Sequence, residues 1–515
     1  MNVNVSYAWK PSFLTLFIII LLSSWFAAQL ALGSGISDLL FIVIPVVFVI
    51  FLFFVVKNWR TGIWLLFGWL LLEDLMRKYM GNNMAVYFGK DVIAGVLYLS
   101  FYAARRRGEI PALRPPFWIP IVLFFWWALL EVFNPNSPSL WYGALGMKIY
   151  FYYVPLFFVG YAIFQNEADL QRFLRFNLIL AGIIAVLGTI QAIVGPTFLN
   201  PATLGEDIRS LSTLTRYDPI TGQSFYRPSS IFVSDGRFGA YLLLSWLFAA
   251  GSTVYWFVRR LPGKSYVLFV LGSVSLAIVL GGGRTPLVLS TVSLLLLVAG
   301  FRWGLPSEYV GHYWGAKALW AAVILAAITI LAVTVFSPEA AAPRVGYYEA
   351  TLLSPRSDTY QLEDRALITP IGQVVQAFQD PNWVFGYGTG TYSLGTQYVT
   401  RILNVPRLEV GVESGYGALV LEMGIVGLLL WLLWTGVLLF SAWGVVRRLR
   451  GTVLFPIGLV IGLFSFVVLV ALTAESNSGY QNFVVNAYLW LLLGILFRLP
   501  ELLQMPEDRL VSTGH

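Results

Sequence analysis

The chain has 515 residues, 58% hydrophobic, 16% aromatic and only 11% charged. Soluble domains carry about 25% charged residues, so this chain cannot coat a soluble globule, and most of its surface is matched to lipid. The net charge of +7 is then better read as inner-loop residues that orient a membrane protein than as a nucleic-acid surface, and the absence of cysteine excludes disulfides and thiolate metal sites.

A spanning helix needs about 20 mostly apolar residues. In chain order such segments fall at 13–32, 36–56, 62–76, 91–104, 117–133, 140–164, 176–194, 238–258, 266–280, 286–301, 318–336, 416–446, 453–472 and 484–497. The expected fold is an all-α polytopic membrane protein of about 14 transmembrane helices, or about 12 if the short segments at 62–76 and 91–104 are half-spans. The first run is too long for a signal-peptide core and is followed at once by another span, so it reads as a retained helix. Cleavage near Gly33 is the other reading.

Lys and Arg sort by side. With the N-terminus inside, inner loops hold Lys57, Arg60, Arg105, Arg106, Arg107, Arg114, Arg172, Arg175, Arg259, Arg260, Lys264, Arg302, Lys317, Arg447, Arg448 and Arg450. The short outer connections hold only Arg77, Lys78 and Lys90. Every second loop is basic, which predicts both termini on the cytoplasmic side. Two long loops, 195–236 and 337–415, then lie on the outer face of one integral membrane domain, and loops of such length are usually functional or disordered.

The second loop contains a predicted helix near 370–379, with Thr369 as cap and Pro370 as first residue. Ile371, Val374, Val375 and Phe378 recur at helical spacing and form one apolar stripe. Such a stripe packs against the bundle top or lies in the membrane interface beside a lipid-linked substrate. No internal repeat is visible, which disfavours inverted-repeat transporters.

Beyond Lys90, every basic residue of the outer loops and their membrane borders is arginine: Arg209, Arg216, Arg227, Arg237, Arg284, Arg344, Arg356, Arg365, Arg401 and Arg407. Guanidinium binds phosphate bidentately, stays ionised and tolerates partial burial, so arginine in place of lysine points to an anionic phosphate substrate. The other account is ion pairing with Glu206, Asp207, Asp218, Asp235, Asp358, Glu363 and Asp364. Arg284 follows Gly281–Gly283 at an outer hairpin, and Arg227 and Arg237 flank the start of another span. These three are placed to converge on one diphosphate at membrane level. Snorkelling to lipid head groups is the alternative for Arg284.

Phe385-Gly-Tyr-Gly-Thr-Gly-Thr-Tyr392 has three alternating glycines. The spacing is wrong for a dinucleotide loop, and it reads as a turn of close backbone approach. Glu413 precedes the span near Tyr416, with Glu422 about two turns deeper. A carboxylate at that border suits a general base, or an ion pair with a nearby arginine. Trp383, Tyr387 and Tyr392 either stack on sugar faces or pack. His312 falls on an inner loop and His515 ends the chain, so Ser-His-Asp catalysis and His-ligated zinc are not expected on the outer face. No Walker motif is present to use ATP. Carboxylate-bound Mg²⁺ or Mn²⁺ stays compatible with the sequence.

The ordered set Arg227…Tyr241, Gly-Gly-Gly-Arg284, a long outer loop, Phe385-Gly-Tyr-Gly-Thr-Gly390 and Val412-Glu-Ser-Gly-Tyr416…Leu421-Glu-Met-Gly-Ile-Val-Gly427 resembles the O-antigen ligase and O-antigen polymerase family of bacterial envelope glycosyltransferases. The resemblance covers roughly residues 140–430. It implies a reaction on the outer side of the plasma membrane, in which a polyprenyl-diphosphate-linked oligosaccharide gives its sugar chain to an acceptor glycan hydroxyl. It implies that Arg227 and Arg284 hold the diphosphate and that Arg365 occupies another basic position of the family loop. Family ligases carry a histidine shortly before the Glu-Met-Gly-Ile-Val-Gly-like segment; here that stretch holds Glu413, which favours a polymerase-like reaction. Guanidinium groups neutralise the leaving diphosphate without a metal or cofactor, and Glu413 takes the acceptor proton.

Two alternatives stay open. One is a ligase moving a finished glycan to lipid or protein. The other is a transporter of lipid-linked glycan, which needs charges near the bilayer midplane; the acidic candidates are Glu73, Asp74, Glu131 and Glu422. The expected partners are the lipid-linked donor, the acceptor glycan, the bilayer and polysaccharide chain-length or export proteins, with no nucleic acid.

Overall fold

The computed structural model describes residues 36–80, 84–110, 113–200, 214–305, 338–354, 368–394, 396, 399–400, 404–405, 412–476 and 478–503. The expected spans at 13–32 and 318–336, both histidines, and Arg209, Arg356, Arg365, Arg401 and Arg407 lie outside these residues. The described chain is mostly helical, with one two-stranded hairpin. Seven described helices are long and apolar enough to cross a membrane. The chain divides into two compact units, one within residues 1–103 and one formed by 104–202 with 206–515.

The first unit contains α1 (Ile36–Lys57), α2 (Trp59–Tyr79) and α3 (Met84–Arg106). At 21 and 23 residues, α2 and α3 are longer than the weak segments expected there. They look weak in sequence because they carry charge, and that charge is buried. Glu73 and Asp74 are fully buried beside Arg77, Lys78 and Lys90, each at most 2% exposed. Arg77 meets Asp74 at 3.1 Å and Glu73 at 3.7 Å, and Lys90 meets Glu73 at 3.1 Å. The acids sit beside bases because an unpaired buried charge is far costlier than a pair.

The second unit runs through α4 (Trp118–Glu131), α5 (Leu140–Phe151), α6 (Leu156–Ile163) and α7 (Glu167–Val194). The expected single span at 140–164 is met by α5 and α6, joined through turns at 152–155 with Pro155 before α6 into one apolar stretch, Leu140–Ile163, long enough to cross a membrane. A hairpin of β1 (Thr215–Tyr217) and β2 (Ser224–Tyr226) precedes α8 (Asp235–Val258), α9 (Lys264–Leu280) and α10 (Arg284–Gly304). Within the second long loop lie α11 (Pro338–Tyr348), a π-helical turn Glu349–Leu353 and α12 (Thr369–Gln379). Then follow α13 (Gly415–Arg448), α14 (Phe455–Phe466), a broken stretch, and α15 (Phe483–Leu502). The broken stretch is Val467–Leu472 in π-helix followed by the short turns Thr473–Glu475 and Ser478–Gln481.

α6 and α15 cross at backbone distance: a Cβ on Gly160 would lie 2.1 Å from the Leu491 carbonyl oxygen, and one on Gly494 2.0 Å from that of Phe157. Small residues permit this approach where packing, not water, drives helix association. An aromatic core built on Phe124, Tyr150, Trp431, Trp434, Tyr480 and Trp490 fills the space beside them.

α13 is broken at Gly424 (φ 65°). The glycine-rich loop enters this break. Tyr387 and Gly388 donate to the carbonyls of Leu421 and Glu422 at 2.7 and 2.8 Å, Trp127 Nε1 donates to that of Met423 at 2.9 Å, and Ile425 donates back to Trp383 at 3.0 Å. Backbone groups freed in a membrane helix need such partners. Gly386, Gly388 and Gly390 have φ of +78°, +100° and +82°, the left-handed region that glycine alone enters cheaply. Close backbone approach, expected from their spacing, is what they provide.

Candidate functional site

The ends of α7 to α11 nearest the β1–β2 hairpin gather Arg227, Arg284 and Arg344. Gln191 on α7 accepts hydrogen bonds from the backbone N–H groups of Ser229 and Ser230 at 2.9 and 2.7 Å, which folds the 227–234 segment back onto the bundle. Ser230 takes φ +50° there. Ser234 caps α8 by accepting from the Arg237 N–H at 3.3 Å. Asp235, in the first turn of α8, binds Arg227 Nη1 at 2.8 Å.

Arg227 leans on the triple-glycine turn. A Cβ on Gly282 would lie 3.1 Å from Arg227 Cγ and 2.7 Å from the Phe225 ring, and one on Gly283 would lie 3.6 Å from Arg227 Nη2. The glycines therefore admit the hairpin and its arginine to the turn that starts α10. Arg284 is the first residue of α10, 5.7 Å from the Tyr347 ring. That helix start has no side-chain cap and no acid in its first turn. The positive pole of a helix is a place where anions bind. The structure thus brings Arg227 and Arg284 to one turn.

Arg344, on α11, fixes this arrangement from behind. Only 2% exposed, it donates to the carbonyls of Leu280 at 2.8 Å, Tyr226 at 2.6 Å and Ala192 at 3.4 Å. Its guanidinium so joins the ends of α7, α9 and β2. Burial pushes it down to about 10, so it stays charged at neutral pH. Burial also pushes up the Tyr226 and Tyr348 phenols, which remain protonated.

The other expected residues sit nearby on different supports. Arg237 lies 4.7 Å from the Phe483 ring, at the start of α15. Glu413 is exposed, and its backbone N–H donates to Gln373 Oε1 of α12 at 2.8 Å. Ser414 caps α13. Glu422, by contrast, is fully buried: Tyr150 donates to it at 2.7 Å and the Tyr392 N–H at 3.0 Å. It anchors the glycine-rich loop. The apolar stripe of α12 is turned outward, with Ile371 62% and Val375 51% exposed. The helix packs by its Gln373–Ala377 edge instead, so the stripe does not seal the bundle top. Tyr392 is buried, whereas Trp383 keeps 38% exposure.

Two residues escaped the sequence reading. Arg344 was one arginine among ten, and its three carbonyl partners come from elements 64 to 152 positions away. Glu475 lies in a short polar connection between two spans, a signal passed over because the connection holds no arginine. Its carboxylate accepts a hydrogen bond from the Thr285 hydroxyl, next to Arg284. Among the described residues no group of three or more His, Cys, Asp or Glu is placed to hold a metal ion. Comparison with protein-family models, curated proteins and solved structures gives no match to this chain.

Proposed function

We propose that this chain is a membrane glycosyltransferase of the O-antigen polymerase and ligase type. It transfers glycan from a polyprenyl-diphosphate carrier to an acceptor sugar hydroxyl on the outer side of a bacterial plasma membrane, and acts as a polymerase. The carrying observation is the pair Arg227 and Arg284 at one glycine turn, beside an uncapped helix start. Fixed guanidinium groups meet the charge that develops on the diphosphate as the sugar–oxygen bond breaks, in a setting that needs no reorganisation. Arg237, in the first turn of α8, extends the anion site, and Arg365 is the further basic residue that the family resemblance offers. A carboxylate takes the acceptor proton, and Glu413 at the start of α13 is the sequence's candidate for it. The exposed stripe of α12 suits acyl chains of the carrier at the membrane surface.

The buried ion cluster of the first unit favours a second reading, a transporter of lipid-linked glycan, since charges inside membrane helices mark ion or substrate paths. One experiment separates the readings. Purified protein is given polyprenyl-diphosphate oligosaccharide and acceptor, and product length and released lipid diphosphate are measured. Long repeating products identify a polymerase and single transfer a ligase. Donor crossing liposomes intact identifies a transporter and overturns the proposal.

A further inference from the structure

We propose that Glu475 is the proton acceptor of the transfer reaction, in the place that the sequence offers to Glu413; the proposal rests on the diphosphate reading of Arg284. Three observations carry it. Glu475 accepts a hydrogen bond from Thr285, the residue beside Arg284 on the first turn of α10. It ends the apolar span Phe455–Glu475, in the short connection to α15 that meets the start of α10. This connection and the start of α15 also meet α13, α8 and the glycine-rich loop. Gly415 at the start of α13 abuts the Thr473 and Ser476 carbonyls, Phe483 lies against Arg237, and Gln481 accepts from the Leu394 N–H of the glycine-rich loop at 2.8 Å.

Glu413 is exposed and its backbone is tied to α12, whereas Glu475 is half-buried and aimed at the shoulder of the arginine that holds the leaving group. In the step, the acceptor hydroxyl attacks the sugar C1 carbon and its proton passes to the Glu475 carboxylate. The C1–O bond to the diphosphate breaks, and its electron pair stays on the diphosphate oxygen facing Arg284. No metal, oxidant or further reactant is required for balance. Thr285 orients the carboxylate.

The test compares Glu475→Gln, Glu475→Asp, Thr285→Val and Arg284→Ala in the full-length protein, with kcat, donor KM and thermal unfolding read for each. The glutamine still accepts from Thr285 but cannot take the proton. Glu475→Gln is expected to lower kcat by about 100-fold or more, with donor KM within about threefold of wild type. Glu475→Asp restores part of the rate, and Thr285→Val loses less than about tenfold. The proposal is overturned if Glu475→Gln loses less than about tenfold, or if Thr285→Val matches its loss, which would reduce Glu475 to holding Thr285. If Glu475→Gln does not fold, an Asp variant at wild-type rate overturns it equally. Arg284→Ala separates the two layers: activity kept in that variant sinks the diphosphate reading itself, whereas activity kept only in Glu475→Gln sinks this assignment alone.

Discussion

Arg344 and Arg284 show what one guanidinium does in two settings. Arg344 spends its donors on carbonyls of Leu280, Tyr226 and Ala192 and so belongs to the scaffold. Replacing it with Met leaves those oxygens short of donors inside the bundle, at a cost on the order of 3 kcal/mol. A clear fall in unfolding temperature is expected, and an unchanged one contradicts the role. Arg284 is half-exposed at a helix start, where its loss costs little stability. Lysine keeps the charge there but loses the planar fork that matches a diphosphate. Arg284→Lys is therefore expected to fold normally and raise donor KM, and wild-type kinetics would remove the bidentate contact from the account. Arg284 was legible because three glycines precede it; Glu475 was not, because its contact with Thr285 spans 190 positions.

The elements explain which expectations held their boundaries. α8 was expected from 238 and begins at Asp235, because Ser234 supplies the cap and Asp235 the first-turn acid. The break in α13 had no such local mark, since Gly424 is met by a loop that precedes it by some forty positions. A Cβ on Gly390 would lie 2.2 Å from the Tyr142 carbonyl, at φ +82°. Gly390→Ala is expected to cost at least about 1–3 kcal/mol from backbone strain alone. Gly436→Ala, on the open face of the same α13 with nothing within 4 Å, is the control, expected to unfold at the same temperature or higher. Equal stability of the two variants contradicts the wedge. Along α12, Ile371→Glu with Val375→Glu is expected to change stability by less than about 0.5 kcal/mol and to raise donor KM. Strong destabilisation would place the stripe against protein instead.

At the scale of the whole molecule, the sequence made the membrane class legible through its charge deficit. The number of spans was less so: α2 and α3 carry buried ion pairs and are not among the seven described helices long and apolar enough to cross a membrane. The absence of cysteine makes orientation directly testable. A cysteine at Ile220, exposed on the hairpin, is expected to react with an impermeant maleimide from outside, and one at Pro262, beyond the other end of α8, only after permeabilisation. The reverse pattern would move the arginine site to the cytoplasm. The central claim is that Arg227 and Arg284 hold a departing diphosphate, and its most direct test is release of polyprenyl diphosphate from purified, folded protein. Wild type is expected to release it in step with glycan transfer, and Arg284→Ala at under about 1% of that rate, the scale of an electrostatic group removed from a transition state. Equal release by the folded variant and wild type would contradict the account.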